Sequence, residues 1–213
     1  PVYGVFELGC WMCGFDDFLQ RMCIEPEFVM KFFDKIWQYQ KRVIEIYYGA
    51  LGKYIHYTSS GDDFATQQNL FMPVEMFNEF IKPFLKERIA YTKTFTDAVF
   101  LHHSCGSVIS LIPELIDAGV DILNPIQPKA LNMEPEKLKN SYGDKIVFHG
   151  GIDTQEILPF GTKESIEKVV RDTINIMNRN GGYIFSAAHN IQEDVPPQNV
   201  VYMFEEARRC GKR

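Results

Sequence analysis

Short runs of β-branched and aromatic residues alternate along this chain with longer stretches in which apolar positions recur every three to four residues. The short runs are Val2 to Leu8, Tyr54 to Thr58, Ala98 to Leu101, Val120 to Leu123, Lys145 to Phe148 and Tyr183 to Ser186. Each has the length and apolar content of a buried parallel strand. The longer stretches predict helices over Pro26 to Gly49, Pro73 to Thr94, Ser107 to Ala118, Glu134 to Asn140, Thr162 to Asn180 and Pro197 to Cys210. Proline near a first turn and glycine soon after a last one, as at Gly119 and Gly181, mark their limits. Strands alternating with helices imply repeated right-handed βα units.

Polar residues gather where the predicted strands end: Glu7 with Cys10, Ser59 to Asp63, His102 to Cys105, Asn124 to Gln127, His149 to Asp153, and His189 to Gln192. In a (β/α)8 TIM barrel those ends share one face, and that face carries the active site. An open doubly wound sheet would instead gather ligands at one switch point. The expectation is an α/β fold, a (β/α)8 barrel forming one domain over residues 1–213. Six strands are predicted where eight are needed, so one or two N-terminal βα units are expected to be missing from this chain.

Composition narrows the function classes. The chain has 213 residues, 46% hydrophobic and 14% aromatic, enough for a sizeable core. Its net charge of −6 comes with mixed-sign helices such as Lys163 to Arg179. No basic stripe offers itself to nucleic acid. No window is long and apolar enough for a membrane helix, and the first residues do not read as a signal peptide, so a soluble, cytoplasmic protein is expected. The five cysteines fit reduced thiols or metal ligands better than a disulfide framework.

The chemistry concentrates at His103-Ser104-Cys105-Gly106. On an extended strand, residues i and i+2 point to the same side, so the imidazole of His103 and the thiolate of Cys105 can converge on one ion while His102 points away. A zinc centre with an open position takes three protein ligands. His189, at the end of the last predicted strand, is the expected third, with Gln192 and Asp194 as supporting partners and His149 in reserve. Cys10-Trp11-Met12-Cys13 resembles a redox or zinc pair but lacks the context of either, and is expected only to line the first strand's corner. Asp62 and Asp63 follow a strand, as general base, substrate acceptor or helix cap, with Asp62 the more inward. Asp153, after Gly150-Gly151, either caps a helix or reaches the site, and the glycines allow close backbone approach.

At these residues the chain resembles the uroporphyrinogen decarboxylase superfamily, which also contains zinc-dependent methyltransferases that move methyl groups between corrinoid proteins and thiols. The likeness runs from about Gly4 to the C-terminus. It rests on Gly14 to Leu19, His103 to Gly106, Gly119 to Asn124, Gly150 to Asp153 and Gly182 to Ile184. It implies the (β/α)8 barrel. His103 and Cys105 match zinc ligands of the methyltransferase branch, with His189 at the position of its later cysteine. His189 also matches a functional histidine of the decarboxylase branch, whose active-site tyrosine falls at or near Trp11. A tetrapyrrole bearing many carboxylates calls for cations, yet the strand ends hold no Arg or Lys except Lys129. A thiol acceptor calls for a Lewis acid. The expected function is therefore methyl transfer between a methyl-corrinoid protein and a thiol or similar acceptor. His103, Cys105 and His189 would hold zinc. Asp62, Asp153 and His189 would take catalytic roles, and Trp11, Asp63, Gln127 and Gln192 would meet substrate. A metal-free tetrapyrrole decarboxylase using His189 is the alternative, followed by a non-catalytic scaffold for a corrinoid partner.

Overall fold

A computed structural model describes residues 3–211. Its five strands are β1 (Tyr57–Gly61), β2 (Val99–His103), β3 (Ile122–Ile126), β4 (Val147–Ile152) and β5 (Tyr183–Ala187). They form one sheet in the order β1-β2-β3-β4-β5, and the β1–β2, β3–β4 and β4–β5 ladders are parallel. A sequential order has no switch point, which sets it apart from a doubly wound sheet and matches the βα progression of a barrel.

The helices are α1 (Val5–Cys13), α2 (Phe15–Ile24), α3 (Pro26–Leu51), α4 (Val74–Met76), α5 (Lys82–Lys93), α6 (Ile112–Ala118), α7 (Pro135–Tyr142), α8 (Ile157–Phe160), α9 (Lys163–Met177) and α10 (Pro197–Cys210). One π-turn, Phe77–Ile81, joins α4 to α5. It ends two residues before Pro83, which has no N–H to give to the helical ladder. The predicted Pro73 to Thr94 helix is thus present with a break in its bonding.

Two expectations about strands are corrected. Val2 lies outside the described residues, and the rest of Val2 to Leu8 forms no strand. Tyr3 makes a single parallel bridge to Gly61, and the chain then enters α1. Val5, Phe6, Gly9 and Cys10 are buried, a helical spacing, so this run packs as a helix face. Trp11 and the Cys10–Cys13 pair accordingly sit on a helix and not at a strand corner. The other strands extend one to four residues beyond their predicted ends. Ser59, Ser60, His102, His103, Asn124 and His149 are therefore strand residues.

The chain divides into two compact units. The first comprises the residues up to Phe64, Phe71–Ser104 and Ser110–Asp121. Its core contains Phe6, Phe18, Phe33, Phe64 and Phe77, at offset or edge-to-face contact, beside a group built on Trp37, Ile44 and Tyr48. The second comprises Ala65–Leu70, Cys105–Ile109 and the residues from Ile122 onward. Ile152, Leu158, Ile166, Val170, Val195 and Met203 form its core. There, α9 starts on Thr162, whose hydroxyl accepts from the Ser165 amide, and it buries Ile166, Val170, Thr173 and Met177 along one stripe.

Candidate metal centre

β2 sorts its two histidines by pleat. Phe100 and His102 are buried on one side, while Val99 and His103 are more open on the other. His102 stacks on Phe64 and pairs through Nδ1 with the Ser60 hydroxyl at 3.1 Å. Burial, followed by the charges of Arg88 and His103, pushes its pKa down to about 3, so the ring is neutral. His103 is left to the opposite face, where Asp63 Oδ1 lies 3.9 Å from its Nε2.

Beyond the strand the chain makes a tight corner. The Ser104 hydroxyl, fully buried, accepts from the Phe64 amide. Gly106 has φ +84°, and a Cβ there would meet the Thr66 carbonyl at 2.4 Å, so only glycine fits. Cys105, partly exposed, lies between them. β5 ends at Ala187. Ala188 is buried with its amide on the Ile152 carbonyl, and His189 emerges exposed just beyond.

His103, Cys105 and His189 each bring one ligand atom to within 4.8 Å of the others. Around tetrahedral zinc, with bonds of about 2.0–2.3 Å, neighbouring ligand atoms stand roughly 3.3–3.8 Å apart. A shift of about 1 Å would bring these atoms to such separations. Two imidazoles and a thiolate suit zinc and leave a fourth position open. Asp63 sets a carboxylate beside His103, beyond hydrogen-bond distance of its Nε2.

The remaining predicted residues have structural partners. Asp62 is buried, and its carboxylate accepts from the amides of Phe6 and Glu7, capping α1. Burial raises its pKa, while those amides and Arg88 oppose the rise. Asp153 accepts from the amides of Glu156 and Ile157 at the start of α8. Gln127 Oε1 accepts from the Gly106 amide and from Gln67 Nε2. Gln192 is exposed and donates to the carbonyl of Asn190 in its own loop. Trp11 is exposed, edge-on to Tyr3. His149 Nδ1 lies 3.3 Å from Asn124 Nδ2 and is not a member of the three-ligand group. Cys10 is buried, and burial followed by the charges of Asp62 and Glu7 pushes its thiol up to about 12. Lys129 pairs with Glu156 on the surface.

The sequence reading overlooked Gln67, an uncharged residue in a loop with no periodic signal, and Arg88. Arg88 is buried and donates to the Tyr3 carbonyl. Its one cue was an arginine on the apolar face of a helical pattern. Among the described residues, no helix is long and apolar enough to cross a membrane.

A sequential parallel βα sheet, with two histidines and a cysteine grouped at its strand ends, is the architecture of a (β/α) barrel. The sequence profile of the uroporphyrinogen decarboxylase family, URO-D, matches residues 2–210, and the chain belongs to that family. It is 29% identical over 104 residues to a uroporphyrinogen decarboxylase of Wigglesworthia glossinidia brevipalpis, covering 48% of this chain and 27% of the relative. It is 24% identical over 135 residues to the enzyme of that name from Chlorobium phaeobacteroides, covering 61% and 36%. A methyltransferase from Methanosarcina mazei has the same fold, with a TM-score of 0.71 at 16% identity, over 98% of this chain and 58% of that one. The matched stretches thus span about a third of these two decarboxylases and little more than half of the methyltransferase.

Proposed function

We propose that this chain carries the zinc site of a methyltransferase that passes a methyl group from a methyl-corrinoid protein to a thiol or similar acceptor. The approach of His103, Cys105 and His189 to within 4.8 Å of one another carries this reading. Zinc bound there would act as a Lewis acid that holds a thiol acceptor as its thiolate. Cys105 would supply the only anionic ligand of the three, so the centre would be one unit more positive than one with two cysteines. That lowers the pKa of a bound thiol and also its nucleophilicity. Asp63, 3.9 Å from His103 Nε2, would add a negative charge beside the site.

Metal analysis of wild type beside Cys105→Ser tests the proposal. The expected result is close to one zinc per chain, lost in the variant while the circular dichroism spectrum is kept. A folded wild type that takes up no zinc from buffered solution overturns it. The names of the decarboxylase relatives favour a second reading, in which His189 serves a metal-free tetrapyrrole decarboxylase. Carbon dioxide release from uroporphyrinogen by zinc-free protein, abolished in His189→Ala, would establish that reading instead.

A further inference from the structure

We infer that Gln127 is a positioning residue: its amide oxygen holds the turn that presents Cys105. The Gly106 amide lies 2.8 Å from Gln127 Oε1, and Gln67 Nε2 lies 2.7 Å from the same oxygen. A backbone amide can only donate, so the contact to Gly106 fixes which end of the Gln127 side chain is the oxygen. Both lone pairs of that oxygen are then used.

The corner has little other freedom to set its position. Gly106 occupies a left-handed conformation with no room for a Cβ beneath the Ala65 and Thr66 carbonyls. The Ser107 amide donates to the Thr66 carbonyl, and the Ser107 hydroxyl donates to the Leu131 carbonyl. The Leu131 amide in turn donates to the Gln67 carbonyl. Three segments, 65–70, 105–107 and 127–131, are thereby stitched together, and Gln127 is the side chain that ties the residue after Cys105 into them. Removing its oxygen leaves the Gly106 amide without its acceptor and frees the peptide that orients the Cys105 side chain. Gln127 would therefore act on a metal through the turn that carries Cys105.

The consequence for zinc rests on the proposed function, whereas the consequence for the turn does not, so the test reads both. Metal-free wild type, Gln127→Leu and Gln127→Glu are labelled with N-ethylmaleimide, and each cysteine is followed by peptide mass spectrometry. Exposed Cys23 is the internal reference. Zinc affinity is measured on the same proteins by competition with a chelator. In Gln127→Leu, Cys105 labelling should rise roughly fivefold or more relative to Cys23, and zinc affinity should fall by about tenfold or more. Gln127→Glu keeps an acceptor and should return both towards wild type. Unchanged Cys105 labelling in Gln127→Leu overturns the inference even if wild type binds zinc, and so does a rise shared by all cysteines, which would report general loosening. A selective rise at Cys105 in a protein that binds no zinc upholds the positioning role and removes the zinc reading.

Discussion

A carboxyl group that is half-buried beside another carboxylate resists ionisation, and Glu7 is in that position. Burial first, then the charge of Asp63, lifts its pKa to about 7 from an ordinary value near 4.5. Between those two values the folded chain holds a proton that the unfolded chain has released. The contribution of Glu7 to stability is therefore full below about pH 4.5 and is lost as the pH rises through 7. Glu7→Gln removes this titration and changes little else in shape. Its urea midpoint should match wild type near pH 4.5 and exceed it at pH 8, and equal midpoints at pH 8 would show Glu7 to be an ordinarily solvated carboxylate. Single residues were legible to different degrees. His103, Cys105 and His189 could be selected because soft ligands are uncommon and stood at strand ends. Glu7 was visible as a polar residue, but its environment is made by Asp63, fifty-six residues away in sequence (63 − 7 = 56). Gln67 carries no cue, because a glutamine in a loop is ordinary until the partner it reaches is known.

At the scale of elements, the first turn of α1 depends on a residue distant in sequence, 55 positions from Glu7. Asp62, just past β1, accepts from the Phe6 and Glu7 amides, and Gly4 leaves the space its carboxylate fills, since a Cβ there would lie 2.0 Å from Oδ2. Helix N-termini carry unpaired amides, and a buried one needs such an acceptor. Asp62→Ala should cost about 2 kcal/mol and raise hydrogen exchange at Phe6 and Glu7 above that in α10. Asp62→Asn, which keeps one acceptor oxygen, should cost less; equal exchange in the two helices of Asp62→Ala would refute the anchoring role. The same contact explains why the first element was misread. A run of Val, Phe and Leu suits strand or helix, and a long-range cap decided between them. Later strands were found but ended too early, because the apolar run stops before the ladder does. Ser59 and Ser60 still pair with Leu101 and His102 across β1 and β2. His103, of the three grouped side chains, is likewise still paired as strand, opposite Gly61.

At the scale of the whole molecule, alternation of strand and helix was enough to predict the βα class, and the sequential strand order bears it out. The sequence could not show that the ligand atoms of His103, Cys105 and His189 lie within 4.8 Å of one another. Cys105 and His189 are 84 residues apart (189 − 105 = 84), so a shared ion would bridge a long stretch of chain in the folded state alone. An ion that binds only the folded protein stabilises it by mass action, by about 2.7 kcal/mol at a free concentration one hundred times its dissociation constant. For a chain of this length that corresponds to roughly 5 to 10 °C in melting temperature. Metal-free wild type melted with and without excess zinc should show this shift, and Cys105→Ser and His189→Ala should show little of it. Cys105 must lose its proton to ligate, so the shift should grow from pH 6 to pH 8. Magnesium, which favours oxygen ligands, should not reproduce it. A shift of equal size in Cys105→Ser would place the zinc elsewhere on the chain and detach the strand-end histidines from the function proposed for them.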